Sequence, residues 1–212
     1  MTLALPTCCS RRTPRADERR RHLLDTARTL FANNGFHRTG MAQIATASGI
    51  KVGQIYRDFA SKEDIIAAIA SEDVEAWLQE DCVRAAIARD DHQAIRDWIN
   101  RFYACDEPVE ECRMMTEIMA EAARNPRVAD IYREIDNRIR CSLHAAFEAL
   151  GVDCVGIVDR DVLVDLVLAL GLGSMMRRIV QPEIDCQKLA GSFRALIDTQ
   201  LATRTEDVLT SA

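Results

Sequence analysis

The stretch TGMAQIATASGIKVGQIYRDFASK, positions 39–62, restricts the fold of this chain more than any other. It reads as two short helices joined by a tight turn. Thr39 is placed as the N-cap of the first, its hydroxyl available to amides that a first turn leaves without partners. Met41, Ile44 and Ala45 then fall on one helical face. Gly49 supplies the left-handed backbone that a sharp turn needs. Six residues later Ile55 points back to close a small core with Ile50 and Phe59. A small residue, a glycine and an aliphatic at these offsets pack two helices steeply against each other, as in a helix-turn-helix. Lys51, Gln54 and Arg57 are left facing outward, to solvent or to a DNA groove.

Charge is distributed to match. The net charge is −6, yet residues 1–62 hold 11 Lys and Arg against 4 Asp and Glu. The remainder holds 16 against 29. A basic head is drawn to phosphates, and an acidic body limits indiscriminate binding to the duplex. Arg11, Arg12 and Arg15 suit a solvated tail, whereas Arg57 and Lys62 sit beside the motif.

Thr39, Ile44, Ala45, Gly49, Ile50, Gly53, Ile55, Tyr56, Phe59, Lys62 and Glu63 together form a pattern that resembles the TetR-type transcriptional regulators. Leu23, Leu24, Ala27, Leu30, Phe31, Gly35 and Phe36 carry the resemblance back through the preceding helix, so it covers about the first third of the chain. After Gly-Ile the family commonly has a small hydroxyl residue and then a lysine. Here Lys51 and Val52 stand in those places, and the positive charge has moved by one position. The resemblance implies a ligand-responsive repressor that binds a palindromic operator as a homodimer and is released by a small lipophilic effector. It also implies an operator near the chain's own gene or an adjacent one. The DNA-binding set is then Thr39, Lys51, Val52, Gln54, Tyr56, Arg57 and Lys62. Gln54 and Arg57 have the donor patterns for adenine and guanine edges. Tyr56, Lys62 and Thr39 are placed to hold phosphates.

Composition bounds the rest. At 212 residues and 48% hydrophobic, the chain is long enough for one sizeable core and a small satellite domain. No run approaches the ~20 apolar residues of a membrane span; the nearest, Val162 to Leu170, is interrupted by Asp165. The first ten residues do not read as a secretory signal, and a cytoplasmic chain with reduced thiols is expected. None of the eight cysteines is spaced as a zinc or redox pair, and the four histidines are scattered, so no metal or cofactor is assigned. Neither a phosphate loop nor a nucleophile elbow is present, and an enzyme is not expected. Two other readings remain: an all-α module whose head contacts protein, and a thiol-responsive regulator.

Helical periodicity runs along the whole chain and predicts an all-α fold of about nine helices. A disordered basic tail is expected over residues 1–14, a three-helix DNA-binding head over 15–62 and a ligand-binding and dimerisation body over 63–212. A single helix from Ser61 to about Ala88 is expected to join head and body. The last helix is expected to end near Leu201, with a frayed tail from Thr203. Val155 to Val158 is the one ambiguous apolar stretch.

Two features of the body bear on function. The segment LVDLVLALGLGSMMRRI is apolar nearly all round, which means cover on more than one side. It is either a central helix of one subunit or a contact with a second copy, through Leu166, Leu170, Gly173 and Ser174. A homodimer is favoured, since one short helix reads too few base pairs for useful specificity. Trp77, Trp98, Phe102, Tyr103, Met114, Met115, Ile118 and Met119 form an aromatic and methionine-rich set, either plain core or a binding site. TetR-type bodies hold a small-molecule pocket between these middle helices. An effector site is therefore expected among Trp77, Trp98, Phe102, Met115, Ile118 and Met119. Glu117 either favours a cationic lipophile, a class many family members sense, or lies on the solvated face of its helix.

Overall fold

The computed structural model describes residues 14–104, 107–152 and 159–210. The tail before Pro14, the stretch 155–158 and Cys8, Cys9, Cys105 and Cys154 lie outside the described residues. Within them the fold is all-α: ten α-helices, one 3-10 turn and no strand. The chain divides into two compact units, Met1–Ile69 and Ala70–Ala212.

In the first unit, α1 (Pro14–Asn34) opens on a proline, whose missing N–H costs nothing at a first helical position. Gly35 stops it at φ 85°, donating its N–H to the Phe31 carbonyl at 2.9 Å. α2 (Met41–Ser48) ends at Gly49, φ 68°, and α3 (Val52–Asp58) follows. Leu23, Leu24, Ala27, Phe31, Phe36, Ile44, Ile55, Phe59, Ile65, Ile66 and Ile69 form the buried core. Of the aliphatics and aromatic expected to close the motif, Ile44, Ile55 and Phe59 are buried and Ile50 is half-buried.

α4 (Lys62–Leu78) begins in the first unit and ends in the second. Ser61 and Asp64 cap it reciprocally: the Ser61 N–H donates to the Asp64 carboxylate at 3.1 Å and the Asp64 N–H to the Ser61 hydroxyl at 3.3 Å. It stops ten residues short of the expected Ala88. Gln79 takes a left-handed backbone, φ 48°, and a separate α5 (Glu80–Ala88) starts after it. Sequence gives little warning, because a non-glycine residue rarely adopts this conformation. Contacts from later in the chain account for the break. The Trp98 indole donates to the Leu78 carbonyl at 2.6 Å, and Arg101 donates to the Trp77 carbonyl. Glu80, first in α5, meets Arg138 in a two-point ion pair at 2.6 and 3.0 Å. That guanidinium holds the Glu80 carboxyl below its ordinary pKa.

The second unit continues with α6 (His92–Asn100), a 3-10 turn (Arg101–Tyr103), α7 (Val109–Ala122), α8 (Pro126–Ala149), α9 (Arg160–Val180) and α10 (Cys186–Thr210). Asp91, Asn125 and Asp159 cap α6, α8 and α9, each accepting an amide of the first turn. α10 runs on past Leu201, since no glycine or proline follows Gly191 to stop it. The core gathers Leu78, Ile95, Trp98, Tyr103, Leu143, Phe147, Val164, Val167 and Ile197. No helix among the described residues is long and apolar enough to cross a membrane.

The two middle glycines of α9 differ in kind. A Cβ on Gly171 would lie 2.5 Å from the backbone oxygen of Phe102, so the helix and the 3-10 turn meet backbone to backbone there. A Cβ on Gly173 would meet nothing within 4 Å. Gly171→Ala is therefore expected to lower unfolding free energy by about 1–3 kcal/mol. Gly173→Ala should leave it unchanged or raise it by up to about 1 kcal/mol. Urea denaturation of the two variants checks the contrast.

Candidate functional site

Two regions carry functional chemistry, one in each unit. The first is the outer face of α3. The buried Ile55 anchors the helix, which leaves Lys51, Val52, Tyr56 and Arg57 exposed and Gln54 half-buried. Tyr56 is 54% exposed and Val52 44%. A cationic, aromatic and amide-bearing surface of this kind matches the donor chemistry of a groove reader.

Thr39 and Lys62 do not belong to that face. Thr39 is 1% exposed and its hydroxyl donates to the Gly35 carbonyl at 2.9 Å and the Leu30 carbonyl at 3.3 Å. The N-cap of α2 is Gly40, whose N–H donates to the Gln43 side chain at 2.8 Å. Lys62 also turns inward, its ammonium donating to the Phe36 carbonyl at 2.8 Å and lying 4.2 Å from the centroid of that ring. The physical reason is shared. The connection from α1 to α2 leaves carbonyls without helical partners, and these two side chains supply the donors. The phosphate roles expected for them are corrected accordingly.

The second region is a cavity of ≈ 560 Å³ within the Ala70–Ala212 unit. Of the expected set, Trp77, Phe102, Met115 and Ile118 line it. Trp98 does not: it is buried in the core, pinned to Leu78 and edge-on to Phe102 with centroids 5.0 Å apart. Met119 and Glu117 are also absent from the lining, because the inward stripe of α7 follows Glu111, Met114, Met115 and Ile118. Of the two readings of Glu117, the one that places it against an effector finds no support in this lining. Sequence reasoning missed Tyr132, Ile135 and Ile139 of α8, which have the periodicity of ordinary core. It missed Arg101 and Arg178 because an arginine near a helix end reads as a dipole or solubility residue.

On α9 the expected dimerisation residues part company. Leu166 and Gly173 are exposed and Leu170 half-buried. Ser174 is 2% exposed, lines the cavity and donates its hydroxyl back to Leu170 at 2.8 Å. One helical face looks out and the other into the cavity, so Ser174 is removed from the outward set.

Cys112 is buried beside the cavity wall. Burial pushes its thiol up, against the nearby Arg178 guanidinium, and it stays protonated at neutral pH. A protonated, buried thiol is a poor nucleophile.

The inward-turned hydroxyl of Thr39 generates a test. Thr39→Val should destabilise the protein by about 1–2 kcal/mol through loss of its two carbonyl partners. Its binding to duplex DNA, measured well below the melting temperature, should stay within about twofold of the parent; a large loss on intact protein would return Thr39 to the DNA contact set.

Comparison with known proteins bears on both regions. Residues 23–69 match the family described as bacterial regulatory proteins, tetR family. The HTH-type transcriptional regulator UidR of Escherichia coli strain K12 is 34% identical over 125 residues, covering 54% of this chain and 57% of that protein. The match thus spans little more than half the length of this curated relative. Among solved structures, Salmonella enterica GusR is 28% identical with a TM-score of 0.66, covering 87% of this chain and 95% of that one. A TetR-family regulator from Mesorhizobium loti, 20% identical with a TM-score of 0.68, shares the fold over 90% of this chain and 98% of its own. UidR and the family description name regulators, not enzymes. The matched motif folds as α2 and α3, so residues 23–69 carry the segment characteristic of the tetR family of bacterial regulatory proteins, and the likeness to GusR runs through both units.

Proposed function

We propose that this chain is a cytoplasmic repressor that binds a palindromic operator as a homodimer and is released by a small lipophilic effector. The observation that carries the reading is the cavity: ≈ 560 Å³, walled by Trp77, Phe102, Met114, Met115, Ile118, Ile135 and Ile139. A hollow of that size, apolar but with a few polar groups, fits a small organic molecule. Trp77 stands near the end of α4, whose first residues, Lys62 to Ile69, belong to the unit that carries α3. An effector with different affinities for two positions of α4 would shift the population able to meet both half-sites about 34–36 Å apart.

In this reading Lys51, Val52, Gln54, Tyr56 and Arg57 enter the major groove, with Gln54 and Arg57 on base edges. Binding to an operator selected from random duplexes should weaken steeply with added salt. Arg57→Ala should cost about 1–3 kcal/mol on that operator and much less on random DNA. Equal losses on both would remove Arg57 from base reading, and salt-insensitive or absent DNA binding would favour a protein-contact head.

The exposed apolar face of α9, Val162, Leu166 and Val180, with Leu196 on α10, supports the dimer. Leu170 and Gly173 continue it. A Cβ at Gly173 has open space within the subunit, so a bulky side chain there is felt only by a second copy. Gly173→Leu should yield helical monomers that no longer bind operator. A dimer persisting in sedimentation at micromolar concentration would place the interface elsewhere.

A further inference from the structure

Arg101 belongs to the wall of the cavity and to the end of α4 at once. Its Nη2 donates to the Trp77 carbonyl, one of the last carbonyls of that helix, and its guanidinium lies 5.5 Å from the centroid of the Trp77 ring. Among the described residues it forms no ion pair. Its charge is therefore met by a neutral carbonyl and a π face, both weaker partners than an anion. Arg101 also lines an outer hollow of ≈ 390 Å³ with Asp97, Asn100, Tyr103 and Arg194, so it can be approached from both sides; the Asp97 carboxylate there accepts from the Gln93 amide at 3.0 Å.

The other charged groups on the cavity wall narrow where an acid could sit. Arg178 donates to the Glu107 carbonyl and approaches the Cys112 sulfur at 3.8 Å. The Glu107 and Glu111 side chains act electrostatically on that same thiol. An anion arriving there would face two carboxylates. Asp73 of α4 and Asp136 of α8 also line the wall and repel an acid from their own neighbourhood. Both wall arginines donate to neutral groups, but Arg178 sits with Glu107 and Glu111, whereas Arg101 meets the Trp77 carbonyl and ring.

We propose that the effector carries an acid group on an apolar body, and that the acid seats on Arg101 while the body lies against Trp77, Phe102, Met115 and Ile118. The inference rests on the reading of the cavity as the effector site. A charge-assisted bond to the acid outcompetes the bond to the neutral Trp77 carbonyl, drawing the guanidinium away from the end of α4. The carbonyl then lacks its donor, and the last turn of α4 loses a cap that holds it. Ligand chemistry and helix release are coupled through one side chain.

A matched pair of fluorescent probes tests this on the full chain: anilinonaphthalene sulfonate, and phenylnaphthylamine, the same aromatic skeleton without the acid. The sulfonate should bind about tenfold or more tighter than the neutral probe. Arg101→Gln should bring the sulfonate down to the affinity that the same variant shows for the neutral probe. Arg101→Lys, which keeps the charge, should retain part of the preference, and Arg178→Gln should retain all of it. Equal binding of the two probes by the parent protein overturns the acid seat, as does a sulfonate preference that survives in Arg101→Gln or disappears in Arg178→Gln. If Arg101→Gln loses the neutral probe as well and Arg101→Lys shows no preference, the residue is a structural cap only. Failure of the parent protein to bind either probe refutes the cavity as a ligand site, which separates that outcome from failure of the acid alone.

Discussion

The end of α4 makes a demand that much of the second unit answers. A helix leaves its final carbonyls without intrahelical donors, and those of Trp77 and Leu78 face other elements of the unit rather than water. Burying them bare would cost about 1–3 kcal/mol each. The Trp98 indole and the Arg101 guanidinium answer the demand from α6 and the 3-10 turn, and both can do so only if the chain turns sharply at Gln79. The left-handed conformation of that residue costs about 1–2 kcal/mol, less than two unmet carbonyls. The same requirement fixes the neighbouring aromatics. With Trp98 tied to Leu78, Phe102 packs edge-on to Trp98 and to Trp77, at centroid separations of 5.0 and 4.7 Å, and this trio separates cavity from core.

Opposite faces of single helices recur as the way two environments are kept apart. On α3, Ile55 faces the core while Tyr56 and Arg57 face solvent. On α9, Val164, Val167, Gly171 and Ser174 face inward, and Val162, Leu166 and Gly173 face out. On α7 the buried Glu121 turns its carboxylate to Asn125 and Arg124, so the end of the helix is held by its own following turn and leaves the apolar stripe undisturbed. Functional and structural demands thus sit about 100° or more apart on the same rod, where they can be varied separately.

Most of the fold was legible because it is written in local signals. Gly35, Gly49 and Gly151 stand at helix ends with positive φ, and Asp91, Asn125 and Asp159 accept at helix starts. Periodicity located Ile44 and Ile55 without reference to anything distant. The misreadings share the opposite property. The break at Gln79 is made by residues some twenty positions later, and Lys62 turns inward to meet Phe36, 26 residues earlier. Thr39 shows the same effect at shorter range, because a hydroxyl before a helix can face either the coming amides or the preceding carbonyls, and here it meets those of Leu30 and Gly35. At the cavity, the residue types were readable but their phase was not. Met115 and Ile118 face inward while Glu117 and Met119, neighbours on the same helix, do not line it, a rotation that depends on where α8 and α9 lie.

The meeting of Gly171 with the Phe102 carbonyl bears on how such a protein could acquire a new ligand. At that point of the wall two stretches of main chain touch, and position 171 has no room for a side chain. Substitution there alters the backbone or nothing. Change in ligand preference comes instead from the side chains that line the cavity, among them Met114, Met115 and Ile118 of α7, Ile135 and Ile139 of α8 and Leu168, Leu172 and Met175 of α9. Methionine and isoleucine tolerate exchange of shape at small cost, typically below about 1.5 kcal/mol when volume is kept. One point of the wall is fixed by geometry and its surroundings are free to drift, so diversification in a lineage built on this body would accumulate around Gly171 while Gly171 itself stays put.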